Sequence, residues 1–303
     1  MKKLIIAGGT GFLGQALIRH FEKDYDKIVI LSRHENKVEG KTVYLKWDAR
    51  TFGTWCLELE GATAVINLCG KSVDCRYTEE NKKLIFSSRL DSTKIIGEAI
   101  LKCSTPPLLW INGASATIYR NSEDKPMGET TGEIGKGFSV EVCKAWEKVF
   151  NDFTLPKTRK ANLRISLVFG SSRGVLPVMM KVVKKGIGGA MGNGQQQVSW
   201  IHVDDFCSII RWMIDNTNAT GPYNIVAPEP VRNKKLMAML RKKAGIAIGL
   251  PSPKWLLEIG AFFIRTETEL ILKSRYVVPE RLLNEGFQFK YNTIEECLES
   301  LKL

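Results

Sequence analysis

Several features that would narrow the function are missing from this chain. No run of about eighteen apolar residues occurs, which excludes a spanning helix. The opening "MKKLIIAGG" has the charge of a secretory leader, but its apolar part stops at Ala7, where glycines begin, so no leader is expected. The seven cysteines are odd in number, contain no C-x-x-C pair, and stand singly, with Cys69, Cys103 and Cys207 inside apolar segments. That pattern excludes a disulfide framework and fits reduced thiols in the cytoplasm. Histidine is scarce, at three residues. No cluster of His, Cys, Asp or Glu has metal-ligand spacing, so no metal is expected, and no Ser-His-Asp assembly is suggested. Internal repeats and low-complexity segments are absent.

Acidic residues are in deficit: 32 Asp and Glu against 44 Lys and Arg, for a net charge of +12. The basic residues are dispersed, which favours an anionic small ligand over nucleic acid. Their densest cluster, "KKLMAMLRKKAG" (234–245), alternates with Met and Leu at helical spacing and reads as the wet face of an amphipathic helix. The 303 residues, 44% hydrophobic and 25% charged, have the balance of a globular protein of one large or two modest domains, as a monomer or homodimer.

Short apolar runs mark strands at 3–7, 27–32, 42–46, 63–68, 107–112 and 161–166. Helical periodicity lies between them, near 12–23, 79–101 and 139–152. In the second of these, Leu84, Ile85, Ile95, Ile96, Ala99 and Ile100 form the expected core stripe. Strand and helix in alternation predict a doubly wound parallel sheet, an α/β fold of Rossmann type. The second half is less regular. "KKGIGGAMGNGQQQ" (184–197) reads as a glycine-rich turn, "SWIHVDDFCSIIRWMIDN" as a short strand and a helix, and "GPYNIVAP" as a further strand. Helices separated by proline-bearing turns are expected from 230 onward. The expected division is a cofactor-binding domain at 1–166, to which a strand near 222–226 returns, and a smaller C-terminal lobe at 167–221 and 227–303.

Between the first strand and first helix stands Gly8-Gly9-Thr10-Gly11-Phe12-Leu13-Gly14. In that frame glycine permits a tight turn, close approach of a pyrophosphate to the backbone, and close packing of helix on strand. Free N–H groups at the helix start then face the phosphates. Dinucleotide sites that prefer NAD carry an acidic residue at the tip of the second strand, for the ribose 2′-hydroxyl. Here the tip reads Ser32-Arg33, with Lys37 following. Arg33 offers a fork of donors suited to a 2′-phosphate, so NADP(H) is expected in preference to NAD(H). Arg33 as a merely solvated loop residue is the alternative.

The segments "GGTGFLG", "VINLCG" (65–70), "SATIY" (115–119) and "WIHVDD" (200–205) together resemble the extended short-chain dehydrogenase/reductase superfamily. "YTEENKKLIFSSRLDSTKII", "CKAWE", "GNGQQQVSWIHVDD", "GPYNIVAPEPV" and "VPERLLNEGFQFKY" resemble an atypical epimerase-like subgroup of it, with a short C-terminal region of unassigned function. The resemblance spans nearly the whole chain. It implies a Rossmann domain with a C-terminal lobe closing over the nicotinamide, and it adds Leu68, Cys69 and Gly70 to the cofactor residues.

Superfamily chemistry uses a Ser or Thr with Tyr-x-x-x-Lys on a helix. Ser115 matches the serine. A glutamate four residues past the lysine, anchored on Glu147, puts Ser139 at the tyrosine position and Cys143 at the lysine position. A one-residue slip brings Lys144 to the lysine position but Val140 to the tyrosine, and the nearest aromatic, Phe138, has no hydroxyl. Cys143, Glu141, Tyr119 and His202 are the remaining groups with chemistry, each with a packing or solvated role as the simpler account; Trp146 and Trp200 either floor a pocket or pack. The arginine and asparagine that hold a sugar nucleotide in the epimerases are matched by Val198 and Leu167. Three functions follow in order: an NADP(H)-dependent oxidoreductase of non-standard acid/base acting on a small carbonyl or alcohol; a dinucleotide-binding protein without turnover, for redox sensing or assembly; and a nucleotide-sugar epimerase.

Overall fold

The computed structural model describes residues 1–253 and 272–303. Eight strands form one sheet in the order β11-β7-β6-β5-β1-β2-β4-β3. These are β1 (Lys3–Ala7), β2 (Lys27–Ser32), β3 (Lys37–Glu39), β4 (Thr42–Lys46), β5 (Ala64–Asn67), β6 (Leu109–Ser115), β7 (Arg159–Ile165) and β11 (Gly221–Ile225). All pairings are parallel except β3 with β4, a short charged edge outside the expected strands.

Parallel strands covered on both faces are apolar throughout, and β1 is buried at all five positions. Alternation sorts its side chains. Leu4 and Ile6 join the core with Leu17 and Phe21 of α1 (Phe12–Phe21). Ile5 and Ala7 join the opposite core with Ile95, Ile96 and Ile100 of α2 (Glu79–Leu101) and Phe150 of α3 (Phe138–Asn151). Thr78 caps α2, its side chain accepting from the Asn81 N–H, and Glu79 and Glu80 complement the positive end. Gly97 on α2 lies against the Phe153 ring: a Cβ there would stand only 2.5 Å from the ring atoms, so helix and ring meet only because no side chain intervenes.

Differences from the sequence expectations have local causes. Leu84 is 40% exposed and leaves the expected α2 stripe, which Ile85 carries alone at that turn. β6 starts at Leu109 rather than 107, because Pro106 and Pro107 have no N–H to give a ladder. It runs on to Ser115, which pairs with Ile165. A smaller core forms from α4 (Val175–Lys184), α6 (Asn233–Ala244) and the helix Ile294–Ser300, around Phe169, Trp200, Leu236 and Leu298. Two ribbons flank it, β8 (Leu167–Phe169) with β10 (Trp200–His202), and β9 (Gln197–Val198) with β12 (Val231–Arg232). The expected return to the sheet at 222–226 corresponds to β11 beside β7. One further element crosses the expected boundary: α5 (Val203–Asp215) packs Phe206, Ile209, Ile210 and Met213 into the α1 side of the main core. The expected helices after 230 include a stretch, 254–271, that lies outside the described residues.

Candidate functional site

Open parallel sheets bind ligands where strand order reverses. Here that point lies between β1 and β5, both of which lie next to each other with β2 on the far side of β1. Gly8 leaves β1 at φ +76°, and a Cβ on it would lie 3.0 Å from the Leu68 carbonyl. Gly14 is tighter: its Cβ would stand 2.3 Å from the Gly9 Cα. Helix α1 therefore starts directly against the turn. At exposed Gly11, by contrast, a Cβ would meet only the Gly8 oxygen, at 3.5 Å, and this open side is where a ligand can approach. Gly11 is the N-cap of α1 with no side-chain cap and no acidic residue in the first turn, so the N–H groups around Phe12 and Leu13 have no carboxylate competing for them. The concavity and its donors fit a pyrophosphate. The Phe12 ring closes one side, within reach of Gly170 and Gly174.

Asn67, fully buried, holds the other side. Its Oδ1 accepts from the Cys69 N–H at 3.1 Å, and its Nδ2 donates to Asn112 at 2.9 Å and Thr93 at 3.2 Å. Trp146 Nε1 donates to the same Thr93 hydroxyl at 2.9 Å, which ties the edge of its indole to α2. Leu68, Cys69 and Gly70 thus follow a fixed strand end. Burial pushes the Cys69 thiol up to about 12, opposed by the charge of Arg33.

At the tip of β2, Ser32 Oγ accepts from the His34 N–H, and Arg33 is exposed. Arg33 borders a cavity of about 450 Å³ with Lys46, Trp47, Asp48, Thr51 and Trp55. Asp48 shapes that wall by accepting from the N–H groups of Arg50 and Thr51, with Ala49 between at φ 63°. Sequence reasoning missed this wall; the signal was the turn-forming Asp48 just past a strand that neighbours β2.

At the other end, Ser115 terminates β6. Its Oγ accepts from the Thr117 N–H and donates to Thr117 Oγ1 at 3.0 Å. On α3, Ser139 is partly buried, Cys143 is 3% exposed, and Val140 is buried. Burial, with help from Glu147, pushes the Cys143 thiol up to about 12, where it is neither nucleophile nor base at neutral pH. Lys144 points to solvent and pairs with Glu141. The Phe138 ring packs tilted against Tyr77, with centroids 4.7 Å apart.

The other candidates carry structure. Tyr119 is 1% exposed, donates to Asn224 and accepts from Arg164. His202 caps α5 through Nδ1, meets Ser300 through Nε2, and lies 4.0 Å from the Tyr291 ring; burial lowers its pKa. Trp200 packs on Phe169 and donates to the Glu229 carbonyl. Val198 pairs with Val231, and Leu167 is 38% exposed on β8. Among the described residues no group of three or more potential ligands could hold a metal, and no helix is long and apolar enough to cross a membrane.

Comparison with known proteins agrees with this geometry. The model of the NAD dependent epimerase/dehydratase family matches residues 4–226, and that of a domain of unknown function, DUF1731, matches residues 252–301. The chain is 31% identical to the epimerase family protein YfhF of Bacillus subtilis, over 98% of this chain and 97% of that one. It is 29% identical to the epimerase family protein SA0724 of Staphylococcus aureus, over 99% of each. Among solved structures it is similar to the human epimerase family protein SDR39U1 with NADPH, at TM-score 0.87 and 25% identity, covering 99% of this chain and 98% of that one. Whole-length relatives, the strand order and the glycine cradle at its reversal converge: the chain belongs to the NAD dependent epimerase/dehydratase family and has its NAD(P)-binding fold.

Proposed function

We propose that this protein binds NADP(H) in preference to NAD(H) and is a slow oxidoreductase acting on a small carbonyl or alcohol. The observation that carries the cofactor is Arg33 at the tip of β2, beside a cavity and with no carboxylate at the strand end. The human relative solved with NADPH supports the same choice. Gly8 to Gly14 would hold the pyrophosphate, Ser32 and Arg33 the adenosine 2′-phosphate, and Leu68 to Gly70 the nicotinamide side. Residues 1–166 with β11, joined by α5, make up the cofactor domain, and the remainder the substrate side. Seven free thiols suit the reducing cytoplasm.

Bound NADP(H) supplies or accepts the hydride. The chain's own part is to orient the substrate oxygen, which Ser115 at the end of β6 can do through a hydrogen bond. On α3, Lys144 pairs with Glu141 at the surface and Glu147 is held by Arg164, which leaves water or the substrate to provide the proton. A positioned acid contributes about 10²–10⁴ in rate, and turnover should be slow by that factor. Against a carbonyl panel with NADPH, Ser115→Ala should lower turnover further and Cys143→Ser should change it little; the opposite ranking overturns these roles. The second reading, binding without turnover, is favoured by the same vacancy of Ser139 and Cys143, and no turnover across the panel with tight NADPH would establish it.

Sugar nucleotides should not bind, since Val198 and Leu167 offer aliphatic carbon where a phosphate and a base need donors. Calorimetric titration of UDP-glucose into NADPH-loaded protein should give no measurable heat, and a micromolar affinity would restore the epimerase reading.

A further inference from the structure

Arg89 lies on α2, opposite the helix that carries Cys143. Its Nη1 donates to the carbonyls of Ile85 at 3.0 Å and Lys71 at 3.1 Å, which fixes one edge of the guanidinium. Its Cζ lies 5.2 Å from the centroid of the Trp146 ring, itself held through Thr93. A Cβ on Gly70 would stand 3.1 Å from the Arg89 Cζ and 3.2 Å from Nη2. Glycine at position 70 is therefore what lets the guanidinium reach the strand end.

The charge is unbalanced. Among the described residues no carboxylate pairs with Arg89, and its Nε and Nη2 donate to none of them. The ionisable groups whose charge bears on it are the Cys143 thiol, which burial keeps neutral, and the Tyr77 phenol. A partly buried guanidinium stays protonated, and Nε and Nη2 keep their capacity to donate to a bound polar group. A cation so placed can give charge-assisted hydrogen bonds to a ligand. The ligand side is set by Gly70, in the loop after β5 at the strand-order reversal, and by Cys143, which occupies the lysine position of α3.

Resting on the cofactor reading above, we propose that Arg89 takes over the role of the missing lysine. Its charge enters from α2 instead of α3 and holds the nicotinamide half of NADP(H) at Gly70. The loss of the lysine at position 143 is then a relocation of charge. The helix that should carry the cation is free to bury a thiol because the opposite helix supplies an arginine.

The test separates the two halves of the cofactor. NADPH and adenosine 2′,5′-bisphosphate, which lacks the nicotinamide half, are titrated by calorimetry into the unmodified protein, Arg89→Met and Arg89→Lys. Arg89→Met should weaken NADPH about tenfold to a hundredfold, the range for a hydrogen bond to a charged group. It should leave the bisphosphate affinity unchanged, and Arg89→Lys should recover part of the loss. NADPH binding by Arg89→Met equal to that of the unmodified protein, or an equal loss for both ligands, overturns the assignment of Arg89. Unmodified protein that binds neither ligand overturns the cofactor reading itself.

Discussion

Replacing Arg164 by alanine should lower the stability of the folded protein by about 3–5 kcal/mol, the range for stripping one partner from a buried ion pair. Arg164 on β7 grips Glu147 on α3 with two bonds, Nε to Oε1 at 2.8 Å and Nη2 to Oε2 at 2.9 Å. The side chains are 10% and 11% exposed, so solvent screens the pair little. The third arm reaches the Tyr119 hydroxyl at 2.7 Å, which donates on to Asn224 of β11 at 2.9 Å. Asn224 in turn donates to the Val278 carbonyl at 2.9 Å. One guanidinium thus joins α3, β7, β11 and the C-terminal segment. Alanine leaves a carboxylate and a phenol without their donors. Glu147→Ala should cost a similar amount by stranding the cation. Replacing both with apolar residues of similar volume, Glu147→Met with Arg164→Leu, should cost less than the sum, since no lone charge remains. Urea unfolding of the four proteins measures this, and losses below about 1 kcal/mol for the single changes would show that the network is not what holds α3.

The same pair shows how far one sequence can be read. Glu147 was usable as a register mark for α3, because a motif four residues long is local. Its partner was not recognisable, since Arg164 reads as an ordinary polar position in an apolar strand until β7 and α3 are packed together. Periodicity served best where covering is symmetric. The fully buried β1 and the glycine turn after it share one stretch of chain, so strand, turn and helix start were all visible at once. It served worst where a face is only partly covered: Leu84 has the right spacing on α2 but is 40% exposed. α5 carries a good apolar stripe, but nothing in a stripe says which of two cores it joins. Arg89 was hidden differently. A polar run, Ser88, Arg89, Ser92 and Thr93, interrupts the apolar positions between Ile85 and Ile95, and that interruption on a buried helix face was the available signal. Ser92 and Thr93 are fully buried and accept from Asn67 at the end of β5.

The cofactor preference is the claim on which the proposed function rests, and Arg33 decides it. The side chain is exposed at the strand tip, so a 2′-phosphate beside it would gain a charge-assisted contact of about 1.5–3 kcal/mol, whereas a 2′-hydroxyl would gain little. At about 1.4 kcal/mol per decade this is roughly tenfold to a hundredfold in affinity. NADPH and NADH are to be titrated, by nucleotide fluorescence at one fixed salt concentration, into the unmodified protein and into Arg33→Ala. The unmodified protein should prefer NADPH by at least about tenfold, and Arg33→Ala should lose that preference through NADPH alone, with NADH affinity unchanged. Equal binding of the two nucleotides by the unmodified protein would contradict the account.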